Sequence, residues 1–270
     1  MTDNPYVPPR SPVADAPTSG ADDGDFIAVG RGVPAGNGWT WIADAWAFTG
    51  QQRGTFIAIF VIYVLLSLGV SMVPIVGSLA IALLGPVLNG GIMLGCEALR
   101  RGETLDVGCL FAAFRSHAGK LIGVGAFTLV AFVVIFAIVA LTVGGGLFAL
   151  MTGAVDASPE ATTKLLVSVM IALLVFLGLS VPIYMAVWFA APLIVLGGQD
   201  VGAALKESFN ACLRNVTPFL VWGIVALGLA IVATIPFGLG WLLLGPLLMA
   251  SVYTSYRDIF YVSEPAEPLA

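Results

Sequence analysis

Few residues in this chain are of a type that does chemistry. His117 is the single histidine and stands between Arg115 and Lys120. A general base needs a partner and a shielded pocket, so a histidine among cations reads as a solvated side chain. The three cysteines, Cys96, Cys109 and Cys212, form no CxxC pair, and a zinc site takes about four ligands. Gly144-Gly145-Gly146 follows an apolar run and is not followed by Lys-Ser or Lys-Thr. It reads as a loosened helix end and not as a phosphate-cradling loop. The expectation is therefore no catalytic residue, no metal site and no cofactor, hence no enzyme. Two polar residues remain. Asn89, three residues after Pro86, is the most polar side chain in the middle of an apolar run; it either hydrogen-bonds between helices or lines a small polar cavity. Pro86 also frees the carbonyl of Ala82, so nearby polarity can be local repair. Glu97, next to Arg100 and Arg101, reads as a paired interfacial carboxylate.

The elements that must hold these residues are set by where charge is missing. Of the 270 residues, 59% are apolar and 10% charged, against about 45–50% and about 25% in a soluble domain. That excludes a soluble enzyme, a nucleic-acid binder and a disordered acidic chain. Residues 54–96, 121–155, 165–199 and 215–256 hold no Asp, Glu, Lys or Arg. A helix crosses a bilayer core in about 20 residues. The first and last runs thus hold two crossings each and the middle two hold one each. The expected fold is all-α, a polytopic membrane bundle of about six transmembrane helices near 54–73, 79–99, 121–147, 165–197, 217–235 and 241–259. Turns fall at Val73-Pro74-Ile75-Val76-Gly77-Ser78 and Ile235-Pro236-Phe237-Gly238-Leu239-Gly240, where Pro and Gly reverse the chain. A continuously apolar stretch such as FIAIFVIYVLLSL from Phe56 lacks the alternation of a β-barrel strand.

With six spans, ten of the eleven Lys and Arg residues fall on one side, and only Lys164 on the other. Positive residues stay cytoplasmic, which puts both termini inside. Residues 1–38 carry six prolines and five aspartates and read as a solvated cytoplasmic tail; 262–270 read as a short C-terminal tail. The net charge of −5 owes much to the first tail. No Asp, Glu, Lys, Arg or His lies well inside a span. Such charges usually mark ion pathways, so a proton-coupled pump is not expected.

Three weak repeats organise the apolar region, in units of about 39–101, 106–198 and 200–260. Leu83-Leu84-Gly85-Pro86-Val87-Leu88 aligns with Leu243-Leu244-Gly245-Pro246-Leu247-Leu248. Gly91 and Gly95 then fall over Ser251 and Ser255, candidate helix-packing residues four apart on one face. Pro86, Pro192 and Pro246 are candidate kinks, with Pro182 marking a further kink or an extended helix. Each unit opens on a short amphipathic segment. Asp106 and Asp200 are candidate N-caps. The apolar faces are Val107, Leu110, Phe111 and Phe114 in one segment, and Val201, Leu205, Phe209, Cys212 and Val216 in another. Residues 39–51 bring Trp39, Trp41, Trp46 and Phe48 to the headgroup zone. The three segments read as interfacial helices or as extensions of the spans.

Gly38-Trp39-Thr40-Trp41-Ile42-Ala43-Asp44-Ala45-Trp46, Leu94-Gly95-Cys96-Glu97-Ala98-Leu99-Arg100-Arg101-Gly102-Glu103 and Ala211-Cys212-Leu213-Arg214-Asn215 resemble a bacterial family of polytopic inner-membrane proteins. Trp188-Phe189-Ala190-Ala191-Pro192-Leu193 and Ser255-Tyr256-Arg257-Asp258-Ile259-Phe260 fit it too. The layout is distantly similar to the membrane domain of some glycerophosphodiester phosphodiesterases. The resemblance covers about 38–261 and implies a bacterial cytoplasmic membrane and six spans, but no activity. Two functions are left in view. One is a non-catalytic protein organising lipid or partner proteins, with membrane lipids, a membrane-protein partner or a second copy as its partners. The other is a carrier or channel for a neutral or amphipathic solute.

Overall fold

The computed structural model describes residues 24–152 and 158–262. Apart from a two-residue antiparallel pair, β1 (Asp25–Phe26) with β2 (Tyr261–Val262), its regular structure is helical. The long helices are α2 (Arg53–Ser71), α3 (Val76–Arg100), α5 (Ala118–Met151), α6 (Pro159–Trp188), α9 (Val216–Thr234) and α10 (Trp241–Phe260). The shorter ones are α1 (Asn37–Gly50), α4 (Ala112–Ser116), α7 (Ala190–Val195) and α8 (Val201–Arg214), with a 3₁₀ turn at Val107–Phe111. Five segments are long and apolar enough to cross a membrane: α2, α3, Ala118–Gly146 of α5, Pro159–Val195 and α9. The sixth expected crossing, α10, has 20 residues but is less apolar. Its second half carries Ser251, Thr254, Ser255, Arg257 and Asp258, and those residues have partners inside the protein, described below.

The two expected hairpin turns are built alike. Ile75 and Phe237, each directly after a proline, take positive φ of 63° and 53°. Beyond each turn a glycine meets the helix it returns along. A Cβ on Gly77 would overlap the Val70 carbonyl, and one on Gly240 the backbone of Ala233. Both contacts span seven residues, although from proline to glycine the second turn is one residue longer and carries a further positive φ at Gly238.

The middle unit departs from this. α6 runs unbroken through Pro182 and stops at Trp188, four residues before Pro192. A proline ring collides with the carbonyl four residues back and has no N–H to offer it, which accounts for a break at that place. Pro86 and Pro246, in contrast, lie inside continuous helices.

The amphipathic segments are separate helices, broken from the spans at Gln51-Gln52, at His117 and at Asn215. None covers its own unit. α1 packs mainly on α9 and α10, the 3₁₀ turn and α4 on α3, and α8 on α6 and α7. Each unit therefore caps another, in a cyclic order, and together they form a collar around one end of the bundle. Two of the expected apolar faces need correction. In the 107–116 segment Leu110 and Ala113 are the buried residues, while Phe111 and Phe114 are exposed. Asp106 accepts a hydrogen bond from Gly108 N at 2.6 Å, and the tight turn it caps winds as a 3₁₀ helix, which rotates the aromatic pair outward. On α8 the buried stripe is Ala204, Ser208, Ala211 and Cys212; small residues let it approach α6 and α7 closely. Asp200 makes no cap hydrogen bond and instead pairs with Lys120 at 2.7 Å.

The boundary of the N-terminal tail also moves. Residues 1–23 lie outside the described residues, as do 153–157 and 263–270. From Asp25 onward the chain is strapped to the body. Ile27 N donates to Phe260 O and Arg31 N to Ile259 O, extending the β1–β2 pair along the end of α10.

Candidate functional site

The collar end of the bundle holds most of the specific polar contacts, and four side chains organise them. Glu97, near the end of α3, is 8% exposed. It accepts hydrogen bonds from Arg100 Nη2 at 2.7 Å, Arg101 Nε at 2.9 Å and the Tyr253 hydroxyl of α10 at 2.6 Å. A buried carboxylate is costly unless its lone pairs are filled; two guanidinium groups and a phenol fill these. The pairing with the two arginines was readable from the sequence, but Tyr253 was not, because it comes from another unit.

Asp258, on the last turn of α10, accepts from Arg31 Nη2 at 2.9 Å, Asn37 Nδ2 at 2.7 Å and Trp41 Nε1 at 2.7 Å. Partial burial, with Asp258 nearby, pushes the Asp44 carboxyl of α1 up from its ordinary value. Asn215 is fully buried at the junction of α8 and α9. It accepts from Val33 N at 2.8 Å and donates to Arg31 O at 2.9 Å and Ala211 O at 2.8 Å. Asp258 and Asn215 therefore fix the strap and α1 together. Both stand in the motifs that carry the sequence resemblance, and they turn out to be the joints of the collar.

The third joint is Ser208 of α8, fully buried. Its hydroxyl accepts from Phe189 N at 2.9 Å and donates to Met185 O at 2.7 Å. Those two backbone groups, four residues apart, would pair with each other in an unbroken helix. Ser208 has entered the opened link, so the kink ahead of Pro192 leaves no orphan there. No motif in the sequence announced this residue.

The small-residue faces point into the protein. A Cβ on Gly91 would overlap the carbonyl oxygens of Cys109 and Leu110, and one on Gly95 would press on Cys109 and Leu105. Gly91 and Gly95 therefore seat the 3₁₀ turn. Ser251 and Ser255 are also buried, at 0% and 2% exposed. Ser251 accepts from Trp222 Nε1 at 3.1 Å, and one turn on Thr254 donates to Trp41 O at 2.8 Å. Both aligned faces thus turn inward.

Asn89 lines a cavity of about 300 Å³ to which all three units contribute, with Tyr63 and Ile92, Trp188, Trp222 and Val252 among its walls. Among the described residues its side-chain amide has no hydrogen-bond partner. The other sequence candidates stay apart from it. His117 lies at the surface beside Ser116. Burial pushes the Cys212 thiol up to about 12 and, with Asp106 adding to it, the Cys109 thiol up to about 11. Lys120, by hydrogen bond and charge, holds the fully exposed Asp200 below its ordinary value.

No family model matches this chain, and no solved structure matches it. It is similar to a protein of Burkholderia thailandensis named as a probable inner membrane protein. The two are 29% identical over 262 residues, covering 87% of this chain and 95% of that protein. The chain is a distant homologue of that probable inner membrane protein, and five of its helical segments are long and apolar enough to cross a membrane.

Proposed function

We propose that the protein is non-catalytic and organises lipid, and through it partner proteins, at the cytoplasmic leaflet, with six crossings and both termini inside. The observation that supports this best is the collar. α1 presents Trp39 and Trp46 outward, and Arg53 stacks on the Trp46 ring at 4.4 Å. Arg257 stacks on Tyr261 at 3.7 Å. An indole beside a guanidinium suits the headgroup zone, where one end is apolar and the other meets phosphate. α10 serves as the sixth crossing because its polar half is spent on Glu97, Asp258 and α1, and its turn repeats that of α2–α3. The finer likeness to phosphodiesterase-linked membrane domains fits a membrane module that works without a soluble barrel. The test is native mass spectrometry of the protein extracted in lipid nanodiscs. Wild-type protein should retain anionic phospholipid, and Trp46→Ala with Arg53→Ala should lose most of it. Equal retention by both refutes the collar as the lipid site.

The cavity around Asn89 favours a second reading, a carrier for a neutral or amphipathic solute. A cysteine at Asn89 would then be reached by small water-soluble thiol reagents from both faces of the membrane; access from one face alone removes this reading.

A further inference from the structure

We infer that the cavity around Asn89 is a binding site for a neutral, polyhydroxylated ring compound of monosaccharide size. This deepens the carrier reading by naming its solute, and it does not require transport.

The cavity's size bounds the ligand first. About 300 Å³ lies at the lower limit of small-molecule sites, about 300–1,000 Å³, the scale of one small ring and not of a whole phospholipid. Charge bounds it next. The lining residues include no Asp, Glu, Lys, Arg or His, and an ion there would have no counter-charge to offset its desolvation. The ligand is therefore neutral.

Its polarity follows from the groups left open. The Trp188 indole N–H is buried without a hydrogen-bond partner. The Asn89 amide and the Tyr63 hydroxyl also have none among the described residues. Together they offer donors on all three side chains and acceptors on Asn89 and Tyr63. A hydrocarbon would leave the buried Trp188 N–H unpaired and cover the half-buried Asn89 and Tyr63 without pairing them, and unpaired groups penalise a wrong ligand. The remaining walls are apolar: the Trp222 ring and the aliphatic side chains of Ile92, Leu248, Met249 and Val252. Trp188 meets Trp222 at 5.1 Å between ring centres, edge to face, which sets two indole planes at right angles beside Tyr63. A saturated ring with hydroxyls on its rim and C–H groups on its faces matches such walls. Trp222 is not free to donate, since its N–H is held by Ser251; its part is to fix the shape.

Equilibrium binding of radiolabelled glucose to the full-length protein in lipid nanodiscs tests this. Glucose should be retained above empty nanodiscs, saturably, and displaced by unlabelled glucose. Asn89→Leu should weaken binding at least about tenfold, the worth of roughly one buried hydrogen bond. Trp188→Phe, which keeps a ring against Phe219 and Trp222 and removes only the N–H, should do the same. Thermal aggregation of both variants should match the wild type. Cyclohexanol, a ring of similar girth with one hydroxyl, should not compete. Absent retention, unchanged binding in either variant, or competition by cyclohexanol equal to that of glucose each overturns the inference. None of these outcomes bears on whether solute crosses the membrane, which the two-sided access of position 89 reads separately.

Discussion

Ser208→Ala isolates a single physical claim, that a side chain of one unit completes the broken helix of another. The substitution removes one oxygen and leaves almost no cavity. It takes the acceptor from Phe189 N and the donor from Met185 O, bonds of 2.9 and 2.7 Å at a fully buried residue. Each buried backbone group left unpaired costs about 1–3 kcal/mol. The helix could recover part of this by straightening until the two groups meet each other. Straightening would drive the Pro192 ring toward the Trp188 carbonyl, a clash that costs about 3 kcal/mol in a regular helix. The expected loss is therefore about 2–4 kcal/mol. Ser180 supplies the control: it is also buried, on α6, but its hydroxyl has no partner. Ser180→Ala should change stability by less than about 0.5 kcal/mol or raise it slightly. The assay is reversible denaturant titration in mixed micelles. Pro192→Ala should reduce the penalty of Ser208→Ala, because the straightened helix can then close its own bond. If Ser208→Ala and Ser180→Ala cost the same, the hydroxyl does not carry the kink.

An impermeant thiol reagent added to intact cells should label Ser158→Cys and spare Ser116→Cys in a cysteine-free background; the reverse would invert the proposed orientation. Gly91→Leu should sharply lower the thermal aggregation midpoint in detergent, since even a Cβ meets backbone there, and Ser251→Leu should lower it by burying bulk against Trp222. Ile92→Leu beside them should cost less than about 1.5 kcal/mol. Deleting residues 1–23 should leave that midpoint unchanged, whereas deleting 1–36 strips Asp258 and Asn215 of the strap's donors and acceptors and should lower it. Because a thiolate is the reactive form, raised values of about 12 and about 11 for Cys212 and Cys109 keep both thiols protonated at pH 8. Maleimide should modify them at least about a hundredfold more slowly in the folded protein than after denaturation, followed by peptide mass mapping.

The spans were legible because bilayer thickness and missing charge fix them: α2, α3, α5 and α9 begin or end within a few residues of the charge gaps. The repeat was legible at Pro86 and Pro246 and gained support from a feature no alignment shows, the shared positive φ at Ile75 and Phe237. The faces of the amphipathic segments were less legible. A helical wheel places Phe111 beside Leu110 on one face, but the Asp106 cap winds that turn as 3₁₀ and separates them. On α8 the expected face of Val201, Leu205, Phe209, Cys212 and Val216 is buried at Cys212 and half-buried at Val201, Leu205 and Phe209, whereas the fully buried stripe runs through Ala204, Ser208 and Ala211 beside it. Hydrophobicity measures what would like to be covered; close packing between helices in a membrane depends instead on what can come near.

The joints were illegible for a different reason. Tyr253 with Glu97, Ser208 with Met185 and Phe189, and Asn215 with Val33 each pair residues from different units or from the strap, so no local spacing encodes them. Their placement follows from the cyclic capping. If each amphipathic segment covered its own hairpin, a unit could satisfy its polar groups alone and the three could separate. Here α1 needs Asp258 of the third unit, the 3₁₀ turn needs Gly91 of the first, and the break at Phe189 in the second needs Ser208 of the third. No unit closes its hydrogen bonds without a neighbour. The same interdependence places Asn89, Trp188 and Trp222, one from each unit, around a single cavity, where Ser251 holds the Trp222 N–H while Asn89 and the Trp188 N–H have no partner among the described residues.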